Sequence, residues 1–263
     1  MSTSARPVPV LYESMVVGEA AALALSLPWW TLAPRGRGET VLVLPGFGAS
    51  DRSTRPLRAV LRGLGHRPHG WGVGTNVGPA EHVIEGLLRR FDRLAAPGHP
   101  IHLVGWSLGG VYARFLAHHR PQVVRQVITL GSPLRQPSDP TDVARLYALQ
   151  ARRWGFDRER RTTPMSSLPV PSTSIYTRTD AVVPWSDCLQ VRAPQTQNIE
   201  VVASHIGLGV NPAALYAVAD RLAGATEGWR PFRPPPVLSP CYPELGRFHP
   251  DETHPVEDDR WSS

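Results

Sequence analysis

Apolar and polar positions follow two rhythms between residue 40 and about residue 223. Short apolar runs bounded by Gly, Pro and polar residues predict strands at Thr40–Leu44, His66–Val73, Ile101–Trp106, Val124–Leu130, Ser172–Thr177 and Ile199–Val202. Between them, apolar residues recur at helical spacing over Arg55–Leu64, Pro79–Ala95, Leu108–His118 and Pro212–Ala223. The second helix opens on Pro79-Ala80-Glu81, with proline in the first turn and an acid close behind. Its stripe is Val83, Ile84, Leu87, Leu88, Phe91 and Leu94. Strands alternating with helices predict an α/β fold, a mostly parallel central sheet with helices on both faces.

Two segments break the rhythm. Residues 133–170 separate two strands and carry an amphipathic pattern from Asp142 to Trp154, with Val143, Leu146, Tyr147 and Trp154 on one face. An insertion past a strand's C-terminal end lies over the crevice where open α/β sheets bind ligands, so it reads as a small helical lid or as a surface excursion covering core. The second segment, from Trp229 onward, contains Pro234-Pro235-Pro236 and predicts an extended strap that frays after about His249. The expected organisation is one domain over 1–228, with the insertion at about 133–170, followed by a Pro-rich tail over 229–263. Residues 15–30 are apolar, but Glu13 and Glu19 flank and interrupt them. A packed N-terminal helix fits this better than a signal peptide or a stable membrane span, and a cytoplasmic setting is expected.

Composition narrows the chemistry. A chain of 263 residues, 41% hydrophobic and 19% charged, suits one soluble domain with a substantial core. Its net charge of +6 is carried by arginine alone, because the sequence contains no lysine. Ser–Lys dyads, Schiff bases and P-loop lysines are therefore excluded. The arginines are scattered; the densest group (Arg152, Arg153, Arg158, Arg160 and Arg161, with Trp154 and Phe156) reads as a solvated face or, second, as a contact for an acidic substrate or partner, and no nucleic-acid partner is expected. Cys188 and Cys241 lack metal-ligand spacing and are free thiols or one disulfide. No His/Cys/Asp cluster has metal spacing and no loop reads G-x-G-x-x-G, so neither a metal nor an organic cofactor is called for.

The chemistry points to Gly105-Trp106-Ser107-Leu108-Gly109, which joins the third strand to the following helix. Small residues two positions either side of the serine permit a sharp turn, and the helix start directs N–H groups and partial positive charge at an oxyanion forming there. A serine hydroxyl needs a base and a group that orients it. In such a sheet these follow the serine, acid before histidine, each just beyond a strand. Asp180 follows Ser172–Thr177, with Asp187 as the competing acid, and His205 follows Ile199–Val202. The first strand enters Gly46-Phe47-Gly48, whose backbone offers a second oxyanion donor at Phe47 beside that of Leu108.

Leu44-Pro45-Gly46-Phe47-Gly48, Gly105–Gly110, Gly131-Ser132-Pro133, Asp180-Ala181-Val182-Val183-Pro184 and Ser204-His205 together resemble the α/β-hydrolase superfamily, and more narrowly bacterial lipases and esterases. The family's oxyanion loop usually reads His-Gly; Pro45 takes the histidine's place, which loses a bracing side chain but no N–H donor. The resemblance implies a serine hydrolase of carboxylic esters, with Ser107 as nucleophile, His205 as base, Asp180 as its orienter, and Phe47 and Leu108 as the oxyanion hole. Gly46, Trp106, Trp154, Ile206 and Leu208 are the expected substrate contacts for an apolar, small-molecule or lipid-like ester. An acyltransferase, a thioesterase or amidase, and a non-catalytic hydrolase-like binding protein share the same signature. The sequence does not fix the oligomeric state.

Overall fold

Six strands pair side by side in the order β2-β1-β3-β4-β5-β6. The computed structural model describes residues 15–26, 30–31, 33–95, 98–134, 167–224 and 228–248. In chain order the elements are α1 (Met15–Leu25), β1 (Thr40–Leu44), α2 (Arg55–Gly63), β2 (Arg67–Gly70), α3 (Glu81–Leu94), β3 (Ile101–Trp106), α4 (Leu108–His119), β4 (Val124–Leu130), β5 (Ser172–Tyr176), β6 (Thr196–Glu200) and α5 (Pro212–Gly224). Every pairing among these strands is parallel.

Alternation along the strands divides the core between the two faces. Val41 and Val43 of β1 point to one side, where Leu57 and Leu61 of α2 and Leu215, Val218 and Leu222 of α5 cover them. Leu42 and Leu44 point to the other, against Val83, Leu87 and Phe91 of α3 and Tyr112 and Leu116 of α4. All of these side chains are fully buried. A parallel sheet covered on both faces needs such continuous apolar strands, and β3 is buried at every position.

The pattern misplaced β6, whose hydrophobic signal at Ile199–Val202 lies at the end of the observed strand. It opens on polar residues, and Gln197 and Asn198 among them are buried. Asn198 donates to the carbonyls of Gln190 and Arg247, while Gln197 exchanges hydrogen bonds with the Phe232 backbone. A strand whose polar side chains are saturated by neighbouring backbone carries no hydropathy signature. The tail supplies the Phe232 and Arg247 backbone, and Phe232 and Tyr242 meet edge to face at 4.9 Å within the core. Leu245 forms an isolated antiparallel bridge with Ile199.

The amphipathic helix expected over Asp142–Trp154, and with it Trp154, lies outside the described residues. Cys188 is buried and Cys241 exposed, and both are free thiols. Among the described residues no helix is long and apolar enough to cross a membrane, and no group of three or more His, Cys, Asp or Glu side chains could hold a metal ion.

Candidate active site

Ser107 is the one non-glycine residue with a positive φ among those described, at φ 52° and ψ −124°. The strain is fixed from both sides of the turn. Its N–H donates to the Leu130 carbonyl at 2.8 Å, and its carbonyl accepts the Gly110 N–H at 2.9 Å. A side chain at Gly105 would strike the Gly109–Gly110 backbone, and one at Gly109 would strike the carbonyl of Leu44. The glycines therefore allow α4 to press against β1 and β3, and this close approach pushes Ser107 outward at the C-terminal end of the sheet.

The loop after β1 comes up beside it. A Cβ placed on Gly46 would lie 3.1 Å from Ser107 Cβ and 3.7 Å from its Oγ. The loop is braced by Asn76, a fully buried residue. Its side-chain amide donates to the Pro45 carbonyl at 2.9 Å, its carbonyl accepts the Gly48 N–H at 2.7 Å, and its own N–H donates to Ala49 at 2.7 Å. Asn76 thus supplies the bracing that Pro45 cannot. The sequence offered only a weak signal for it, a polar residue inside the Gly-rich run Gly72–Gly78. The Phe47 N–H has no backbone acceptor among the described residues, and the Leu108 N–H, at the first position of α4, has no intrahelical one.

Beyond β5, Asp180 Oδ1 accepts the N–H groups of Val182 at 2.8 Å and Val183 at 2.7 Å. Its Oδ2 accepts the Nδ1–H of His205 at 2.7 Å, with the Asp180 side chain fully buried. Since a carboxylate only accepts, this bond places the imidazole proton on Nδ1 and the lone pair on Nε2. Gly131, which follows β4, lies beneath the pair: a Cβ there would be 3.1 Å from Asp180 Oδ2 and 3.2 Å from His205 Nδ1. The His205 loop is clipped to the Asp180 loop by the hydroxyls of Thr177 and Thr179, which donate to the Ala203 carbonyl at 2.9 and 2.5 Å. It is clipped to the serine's strand by Trp106 Nε1, which donates to the His205 carbonyl at 3.1 Å.

Two of the expected substrate contacts pack inward. Trp106 is 9% exposed and lies against Gly209 in the core, and Leu208 is fully buried. Trp106 holds the histidine loop through its indole N–H, and Leu208 lies against Gly131. Gly46 lies against Ser107, and Ile206, 46% exposed, stands next to His205. Buried Cys188 sits beside the acid. Burial pushes its thiol well above the ordinary value, and the charges of Asp180 and then Asp187 push it further.

The alpha/beta hydrolase fold family matches residues 31–164, just over half of the 263-residue chain. The chain belongs to that family. Among solved structures, this α/β-hydrolase is similar to one from work on LipS and LipT, two metagenome-derived lipolytic enzymes, at 15% identity and a TM-score of 0.55, over 74% of this chain and 96% of that one. The monoacylglycerol lipase of Paleococcus ferrophilus is 16% identical, with a TM-score of 0.55, over 73% and 98% of the two chains. The thioesterase domain from the curacin biosynthetic pathway is 15% identical, with a TM-score of 0.50, over 71% and 93%. At these identities the likeness is one of fold. No curated protein matches the sequence.

Proposed function

We propose that this α/β-hydrolase is a serine hydrolase of carboxylic esters. The observation that carries the reading is the 2.7 Å bond from His205 Nδ1 to Asp180 Oδ2, made over Gly131, while the strained Ser107 turn is bonded to Leu130, the residue before that glycine. Ser107 Oγ attacks the ester carbonyl as His205 Nε2 takes its proton, and Asp180 holds the imidazole in the accepting tautomer. The carbonyl π electrons move to oxygen, where the N–H groups of Phe47 and Leu108 hold the charge. Each such donor contributes roughly 3–4 kcal/mol to the transition state. His205 returns the proton to the leaving alkoxide as its bond to carbon breaks, giving an acyl-enzyme. Water then repeats the cycle, releasing the acid and restoring the serine. Partly buried Phe47 and exposed Ile206 favour an apolar acyl group.

Ser107→Ala should abolish turnover of p-nitrophenyl butyrate and labelling by a fluorophosphonate probe, while the circular dichroism spectrum is unchanged. Turnover undiminished in that variant would sink the reading. An acyl-chain-length series tests the apolar preference, which equal rates on acetyl and long-chain esters would exclude.

A further inference from the structure

Glu19 takes no part in the chemistry above, yet it is the one buried residue of α1. An apolar helix that only covered core would bury valine or leucine there. In α1, Val17 and Leu25 are instead 75% and 80% exposed. Leu23 packs partly buried against the core, and what the helix buries is a carboxylate. Oε1 accepts the Ser204 N–H at 3.0 Å and the Asn211 Nδ2–H at 3.2 Å, and Oε2 accepts the Ser204 hydroxyl at 2.7 Å.

These partners are the two ends of the loop that carries His205. Ser204 immediately precedes the histidine, and its Oγ accepts the Gly207 N–H at 2.9 Å. Asn211 caps α5 by accepting the N–H groups of Ala213 and Ala214, and it donates to the Val202 carbonyl at 3.0 Å. A Cβ on Gly207 would run into the Glu19 carboxylate. The loop is thus shaped around the acid. A buried charge is costly unless donors saturate it, and here three donors from a single loop converge on it.

We propose that Glu19 is a positioning residue for His205: one carboxylate, delivered by the N-terminal helix, fixes both ends of the histidine loop and so sets where Nε2 stands relative to Ser107. The proposal rests on the catalytic reading of Ser107, His205 and Asp180 given above. Its competitor is a purely structural role, in which Glu19 does no more than dock α1.

The test uses full-length Glu19→Gln and Ser204→Ala, assayed well below the lowest thermal midpoint. In Glu19→Gln, an amide nitrogen faces donors where an oxygen accepted them. Its kcat for p-nitrophenyl butyrate should fall about 10- to 100-fold, with KM changed less than about threefold and fluorophosphonate labelling slowed in parallel. Ser204→Ala keeps the Glu19–Asn211 bond and should lose less. Amide exchange should speed up at Ser204 and Gly207 but not in β1 or β3. A folded Glu19→Gln with kcat within about twofold of the parent overturns the proposal, even if its thermal midpoint drops. Should Glu19→Gln not fold, Ser204→Ala decides, and an unchanged kcat there overturns it. In each of these cases the parent chain still hydrolyses ester and takes up the probe. A parent that does neither removes the catalytic reading itself, and the proposal with it.

Discussion

Gly131 shows how one missing side chain governs the acid–histidine pair. It adopts φ +52°, and a Cβ there would lie 2.7 Å from Leu208 Cδ1 as well as against Asp180 and His205. Gly131→Ala therefore meets two obstacles, a left-handed backbone and a buried clash that displaces the imidazole. The variant should lose about 10²-fold in kcat/KM, because sub-ångström placement of the base sets the rate. It should also lose roughly 1–3 kcal/mol of stability. Ester kinetics and denaturant unfolding check the two separately. At the same scale, burial first and then the charges of Asp180 and Asp187 raise the Cys188 thiol and so work against the thiolate that a nucleophile needs.

At the scale of elements, the loop after β1 depends on an element that is not its neighbour in sequence. Asn76 reaches it from the segment between β2 and α3, and its Oδ1 also accepts the Gly78 N–H and the Tyr112 hydroxyl. Asn76→Ala removes those side-chain bonds but leaves its two backbone bonds to the loop. The Phe47 donor should then loosen without being lost, and kcat should drop about tenfold, less than the 10²–10³ of deleting an oxyanion donor. Steady-state kinetics with Ser107→Ala as the blank would measure this. Strands with a mostly apolar run were readable in advance: β1, β3 and β4 match their predicted limits, as does the start of α4 at Leu108. Three features were not readable. The polar strand β6, Asn76 and Glu19 act through hydrogen bonds to distant backbone, which leave no periodic trace along the chain. Trp106 was ambiguous for a related reason, since only the fold decides whether an aromatic beside the nucleophile faces the crevice or the core. Ser107, Asp180 and His205 could be singled out because each follows a strand.

Across the whole molecule, the two ends of the sheet are held together in different ways. Far from Ser107, near the start of β3, burial lowers the His102 imidazole to about 4, with Glu39 opposing and His66 and Arg125 reinforcing. Burial likewise lowers nearby His66, against the pull of Glu39. His102 Nδ1 accepts a hydrogen bond from Gln126 Nε2, which also donates to the Arg221 carbonyl. Protonating Nδ1 would turn that bond into a repulsion. The unfolded chain takes up the proton first, near the ordinary value of 6.5, so stability is full above that pH and falls as pH drops toward 4. The loss from His102 alone is about 3 kcal/mol, and His102→Asn should flatten it in urea melts across that window. Near Ser107, the site is assembled from segments far apart in the chain, and the bond from Ser204 to Glu19 spans 185 residues. That separation has a consequence in time. During synthesis at about 5–20 residues per second, α1 emerges roughly 10–40 s before the loop that seats it. Through that interval the acid stays in water while β1 to β5 are made and become free to pair. The nascent chain can build most of its sheet before the histidine loop exists, so seating α1 and completing the candidate site become one late event.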